Sequence, residues 1–171
     1  MPRVLAWMTA PIAVALLTSA CGGDDGAGSA LKVAEFETVA ADAMPATVLD
    51  LVVGPEDFSA TLLASQEAYI DALGVFGMRR DDLLYATVQV SRFDDPDTIA
   101  DPLFQRSLAG RIGDSGRPSV VRVGQQSVYL MPSGRQTLGV WFVDDEMFVL
   151  TVRPEYEQPR RLVRALVEAT A

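Results

Sequence analysis

Between Ser119 and Arg153 four apolar, β-branched runs follow one another so closely that an antiparallel sheet is the one regular arrangement that accommodates them. The expected strands are Ser119 to Val123, Ser127 to Met131, Gln136 to Val143 and Met147 to Arg153. Gly124-Gln125, Pro132-Ser133-Gly134 and Asp144-Asp145 lie in the gaps between them. Connections of three or four residues containing Gly, Pro or Asp make hairpins, whereas parallel strands need a crossover of roughly a dozen residues or more. A doubly wound parallel sheet is therefore excluded for this half of the chain.

The remaining elements are read from period and punctuation. Ala46 to Val53 reads as a short strand, with Pro45 before it and Gly54-Pro55 after it. Asp57 or Ser59 caps a helix that places Leu62, Leu63, Gln66, Tyr69, Ile70 and Leu73 on one face, with Gly74 and Gly77 ending it. Leu83 to Phe93 alternates Leu84, Ala86, Val88 and Val90 with Tyr85, Thr87, Gln89 and Ser91, the pattern of a strand with one face in the core. After the turn Asp94-Asp95-Pro96-Asp97, Thr98 or Asp101 caps a second helix through Leu103, Phe104, Leu108 and Ile112, stopped by Gly113 to Pro118. Pro159 opens a last helix carrying Leu162, Val163, Leu166 and Val167 at helical spacing. Lys32 to Ala43 shows no decisive period and is expected as coil or a short edge element. The order predicts an α+β domain, an antiparallel sheet of about five to six strands with about three helices packed mainly on one face.

The N-terminus carries an address. Arg3 precedes an apolar run from Val4 to Leu17, broken by Pro11 and followed by the small residues Ser19 and Ala20. This is the layout of an export signal, and its apolar run of 14 residues falls short of the about 20 that a spanning helix needs. Ala20 directly before Cys21, Ser19 before that, and the Gly-Gly-Asp-Asp-Gly tether after it resemble a bacterial lipoprotein signal peptide. The third position before the cysteine is Thr18, where such signals usually carry leucine, and Thr18 with Ala20 also suits an ordinary secretory cleavage. The resemblance implies a diacylglyceryl group on the sulfur of Cys21 and a protein held by lipid at the extracytoplasmic face of the cell membrane, because two acyl chains anchor stably. On this reading residues 1–20 are the signal peptide, 21–31 the lipidated cysteine and a flexible tether, and 32–171 a single domain.

Composition narrows the partners and the chemistry. Cys21 is the only cysteine, so an exported domain of this size must be stable without a disulfide. The chain has 14 basic and 23 acidic residues; losing residues 1–20 removes one arginine and no acid, which takes the net charge from −9 to −10. Nucleic acid is not an expected partner, since its recognition relies on clustered positive charge, and direct spreading on anionic head groups is disfavoured likewise. Lys32 is the one lysine after the signal segment; this usage, with abundant Ala, Val, Asp and Arg, resembles small lipoproteins of actinobacteria, a likeness that carries no catalytic or binding residue to transfer.

There is no histidine, which removes the Ser-His-Asp and Cys-His schemes and the imidazole metal sites. No Gly-rich phosphate loop with its lysine occurs, and no metal or other cofactor is expected. Asp94, Asp95 and Asp97 lack the glycine and distal glutamate of a calcium loop and read as a solvated turn. Asp144-Asp145-Glu146 sits at an expected hairpin tip, where turn chemistry accounts for it. Arg79-Arg80-Asp81-Asp82 reads as a solvated connection with local ion pairs.

Two functions of different class remain. The first is a non-catalytic accessory lipoprotein that binds another envelope protein; the chain is not expected to be an enzyme. The alternative is a binder or carrier of a small amphiphile, with Trp141, Phe148 and Tyr129 lining an apolar groove and Arg160 and Arg164 of the last helix gripping an anionic group. The plainer accounts are a sheet core for the aromatics and a wet helix face for the arginines. Alternation sets Trp141 and Phe142 on opposite faces, so with one core one of them is expected to be left partly exposed. A carboxylate-based envelope hydrolase is a third option, which 23 acidic residues leave open without pointing to any pair.

Overall fold

The computed structural model describes residues 37–39, 44–56, 70–112 and 118–171; the expected signal segment, Cys21 and the expected tether lie outside them. Nine strands form one sheet: β1 (Glu37–Thr38), β2 (Thr47–Val48), β3 (Leu51–Pro55), β4 (Ile70–Arg80), β5 (Leu83–Phe93), β6 (Ser119–Val123), β7 (Gln126–Ser133), β8 (Gln136–Val143) and β9 (Glu146–Val152). Three helices accompany them among the described residues: α1 (Pro96–Ala100), α2 (Pro102–Ile112) and α3 (Pro159–Thr170). The strand order is β2-β3-β4-β5-β9-β8-β7-β6, every neighbouring pair antiparallel, with β1 pairing parallel to the start of β4. Two four-stranded meanders are thus joined where β5 meets β9, and the domain is α+β as expected.

The expected strand count of five to six was too low, chiefly around β4. The structure runs a strand of 11 residues through Gly74 and Gly77, and it places Ile70 and Leu73 in that strand, not on a helix; the rest of the expected helix, up to Tyr69, lies outside the described residues. Both glycines serve close approach instead of termination. A Cβ on Gly77 would collide with the Glu56 carboxylate, and one on Gly74 would lie 3.0 Å from Val39 Cβ. The expected strand at Ala46 to Val53 is likewise two strands, folded back at Leu49-Asp50. Leu49 there takes φ 56°, a left-handed conformation that costs a non-glycine residue on the order of 1–2 kcal/mol.

Local turn chemistry set the other hairpins. Asp81 and Asp82 both have positive φ (51° and 63°), as a two-residue hairpin that follows the sheet's twist requires. Gly124 and Gly134 occupy the left-handed region in the β6–β7 and β7–β8 turns, and Asp144 does so between β8 and β9. The expected single helix after Phe93 is two. Asp95 caps α1, accepting from the Thr98 amide (3.2 Å) and hydroxyl (2.6 Å), and Pro102 opens α2 with Asp101 accepting from the Leu103 amide (2.9 Å).

The helices are not on one face. Alternation along β8 and β9 sends Trp141 and Phe148 to one side, where Leu162, Val163, Leu166 and Val167 of α3 join them in a cluster with Val88, Val90 and Leu150. It sends Phe142 and Met147 to the other, where Ile99 of α1 and Leu108, Ala109 and Ile112 of α2 pack on Tyr129, Met131, Leu138, Val140 and Val149. The sheet is a middle layer with a core on each side. Hence neither Trp141 (0% exposed) nor Phe142 (5%) is left partly open; the expectation of one exposed aromatic assumed a single core.

The α3 face also bends the sheet. Seven inter-strand steps of about 4.8 Å would put β2 and β6 roughly 34 Å apart in a flat sheet, and a 12-residue helix is only about 18 Å long. Yet α3 touches β8, β6 and β2, and Val48 of β2 and Val123 of β6 belong to its cluster. The sheet therefore curls around α3, in keeping with the coiling of twisted strands.

Candidate functional site

Of the aromatic residues that sequence reading grouped, two come together and one does not. Trp141 and Phe148 are cross-strand partners whose rings stack at 5.1 Å and 9°. Trp141 donates its indole N–H to Thr170 Oγ1 (3.1 Å), and that hydroxyl in turn donates to the Leu166 carbonyl near the end of α3 (3.1 Å). The polar edge of the indole is thus satisfied inside the fold. Tyr129 lies on the other side of the sheet, edge-on to Phe142 at 6.2 Å. Burial raises its phenol pKa, with Arg106 and Arg122 acting in the opposite sense. Arg160 and Arg164 are on the outer, exposed side of α3; Arg164 approaches Glu168 one turn on at 4.0 Å, with both side chains more than 60% exposed. Such a pair contributes little. No groove lined jointly by these five residues is formed.

A polar cluster that sequence reading missed closes one end of the sheet. Asp50, in the β2–β3 turn, accepts from Arg80 at the end of β4 and from the Tyr156 hydroxyl (3.1 Å) ahead of α3. The Arg80 guanidinium carbon sits 4.7 Å from the centre of the Tyr85 ring, and Tyr85 meets Tyr156 edge-on at 5.9 Å. A backbone hydrogen bond, Tyr156 and Arg80 hold the Asp50 carboxyl below its ordinary pKa. Burial, then the bond to Asp50, pushes the Tyr156 phenol up, and Tyr85 with Asp50 holds Arg80 more firmly charged. Each group has its partner, so the cluster is built to clamp the hairpin to the start of α3. Beside it Arg79 pairs with Glu56. The expected local pairing of Arg79-Arg80 with Asp81-Asp82 is corrected: both guanidinium–carboxylate pairs run across strands, and Asp82 supplies only a backbone carbonyl to Arg79 (3.2 Å). Nothing local in the sequence signals partners 23 and 30 residues away.

The opposite end is finished differently. β6 pairs with β7 in unbroken register from Ser119↔Leu130 to Val123↔Gln126, and among the described residues no strand lies on its outer side. Its central residues Val120 and Val121 are 50% and 41% exposed. Val120 and Arg122 stand on the Tyr129 side and Val121 on the α3 side. Proteins usually blunt a lateral strand with lysine, proline or a bulge; β6 carries two adjacent valines and a regular ladder. This edge is the candidate functional surface.

No cluster of three or more Cys, Asp or Glu able to hold a metal occurs among the described residues, and none of their helices is long and apolar enough to cross a membrane. Comparison with protein-family models, with curated proteins and with solved structures returned no match.

Proposed function

We propose that this chain is a lipoprotein held by lipid on Cys21 at the extracytoplasmic face of the cell membrane, and that its domain is a non-catalytic module that binds another envelope protein. The observation that carries the binding half is the contrast between closed faces and an open edge. Helices pack on both sides of the sheet and enclose Trp141, Phe142 and Phe148, while Val120 and Val121 are neighbouring exposed apolar residues on a strand with no strand on its outer side among the described residues. The carrier alternative has less support, because Trp141 and Phe148 stack on one another under α3 and occupy the space a ligand would take.

Two measurements test the reading. Mass spectrometry of the membrane fraction should find a mature chain beginning at Cys21 and heavier by a lipid group, with the Cys21→Ser variant unlipidated; a cytosolic chain that retains residues 1–20 would overturn the anchor. Crosslinking in intact cells should reproducibly capture a protein partner, and consistent failure to do so would overturn the binding role.

A further inference from the structure

The charge of this protein is not spread evenly. From Pro102 to Val143 the sequence holds five arginines and a single acid, Asp114, a stretch of net +4 in a chain of net −9. Elements α2, β6, β7 and β8, with the β7–β8 turn, contain Arg106, Arg111, Arg122 and Arg135 and no carboxylate side chain. Arg122 stands on the Tyr129 side of the β6–β7 pair, the side on which α2, the helix of Arg106, packs. An acidic protein thus keeps its uncovered strand edge beside its basic region.

We propose that β6 binds an acidic, extended peptide segment of a partner protein as an added antiparallel strand. This rests on the protein-binding reading above and names the chemistry of the partner. Main-chain bonds to the outer side of β6 supply affinity in such pairing, and alternate side chains supply selectivity. The register specifies the pattern. A residue opposite Val120 meets an apolar side chain beside Tyr129, one opposite Val121 meets an apolar side chain on the α3 side, and one opposite Arg122 meets a guanidinium. Read along an antiparallel ligand the preferred core is acidic–apolar–apolar, since opposite charges and β-branched pairs directly across a sheet are the favourable ones. The surrounding arginines attract acidic segments and turn away basic ones.

The test uses the processed full-length protein in detergent and the probe acetyl-Thr-Glu-Val-Val-Thr-Glu-amide, with binding read by calorimetry. Binding is expected, at least tenfold weaker for the same peptide N-methylated at alternate residues, at least tenfold weaker with Lys in place of each Glu, and weaker as salt is raised. Arg122→Glu should weaken it at least fivefold with an unchanged melting temperature. Absence of binding, or equal binding of the N-methylated probe, would overturn the strand-addition proposal. So would loss of charge dependence, binding of phosphatidylglycerol vesicles that Arg122→Glu abolishes while the peptide has no effect, or self-association through β6 that the peptide does not displace. Failure here with a partner still captured in cells sinks only the assignment to β6, whereas failure of capture sinks the broader reading.

Discussion

At the β2–β3 end of the sheet, Asp50 and Glu56 each hold an arginine of β4, and Tyr156 ties the hairpin to the approach of α3, across sequence separations of 30, 23 and 106 residues. At the β6 end, among the described residues, the side-chain bonds of β6 are local: Ser119 to the Leu130 carbonyl and Arg122 to the Gln125 carbonyl, 11 and 3 residues apart. The first end is fastened to the rest of the molecule through these long-range bonds. The second ends, among the described residues, in a strand with no outer neighbour and in two exposed valines. Both ends expose apolar side chains, Leu49, Val52 and Leu83 at the first and Val120 and Val121 at the second, so what separates them is the range of their polar bonds: one end is tied to distant segments, the other to its own hairpin.

Substitutions distinguish the two ends from each other and from the core, where the loss of stability is greatest. Trp141→Ala removes a fully buried ring stacked on Phe148 and should cost about 3–5 kcal/mol, read from denaturant midpoints. A loss below about 1 kcal/mol would mean that the α3 face is loosely packed and would revive the ligand-groove reading. Thr170→Val keeps the volume but strips the indole N–H of its acceptor, so a loss of about 1–3 kcal/mol is expected. A neutral outcome would show that water replaces the hydroxyl.

At the clamped end Tyr156→Phe deletes the bond to Asp50 and should cost about 1 kcal/mol. It should also flatten the alkaline limb of the stability profile. The folded phenol pKa is raised, so its contribution is complete below the ordinary value of about 10 and is lost as pH rises through the folded value. Asp50→Asn should flatten the acid limb. The folded carboxyl pKa is lowered, so its contribution is present above the ordinary value of about 3.9 and disappears as pH falls through the folded one. If neither limb changes, the cluster does not clamp the hairpin. At the bare end Val120→Thr should alter stability by no more than about 0.5 kcal/mol; a larger loss would show that β6 is covered and remove the contrast between the ends.

How much of this was legible in the residues depended on range. Every hairpin from β6 to β9 could be read, because Gly124, Gly134 and Asp144 sit at positions where the turn itself demands a left-handed backbone. Leu83–Phe93 and the start of α3 at Pro159 were readable for the same local reason. The misreadings came where a local signal served a distant contact. Gly74 and Gly77 read as helix stops, yet they are small because Val39 and Glu56 press against β4. Asp50 and Arg80 carried no mark of each other. The basic stretch around β6 was countable in the sequence, but its meaning depended on knowing that Ser119–Val123 ends the sheet.

Residue order alone determined that this chain forms antiparallel hairpins, without disulfides or histidine chemistry, behind an N-terminal segment that resembles a lipoprotein signal, because turns, periodicity and composition act over a few neighbouring residues. Only the tertiary structure decided which strand lies at the edge and which face each helix covers. Those outcomes follow from β5 meeting β9 and from α1 and α2 crossing to the side opposite α3. An apolar period says that a side chain must be buried, and the physical choice of what buries it is made by long-range packing.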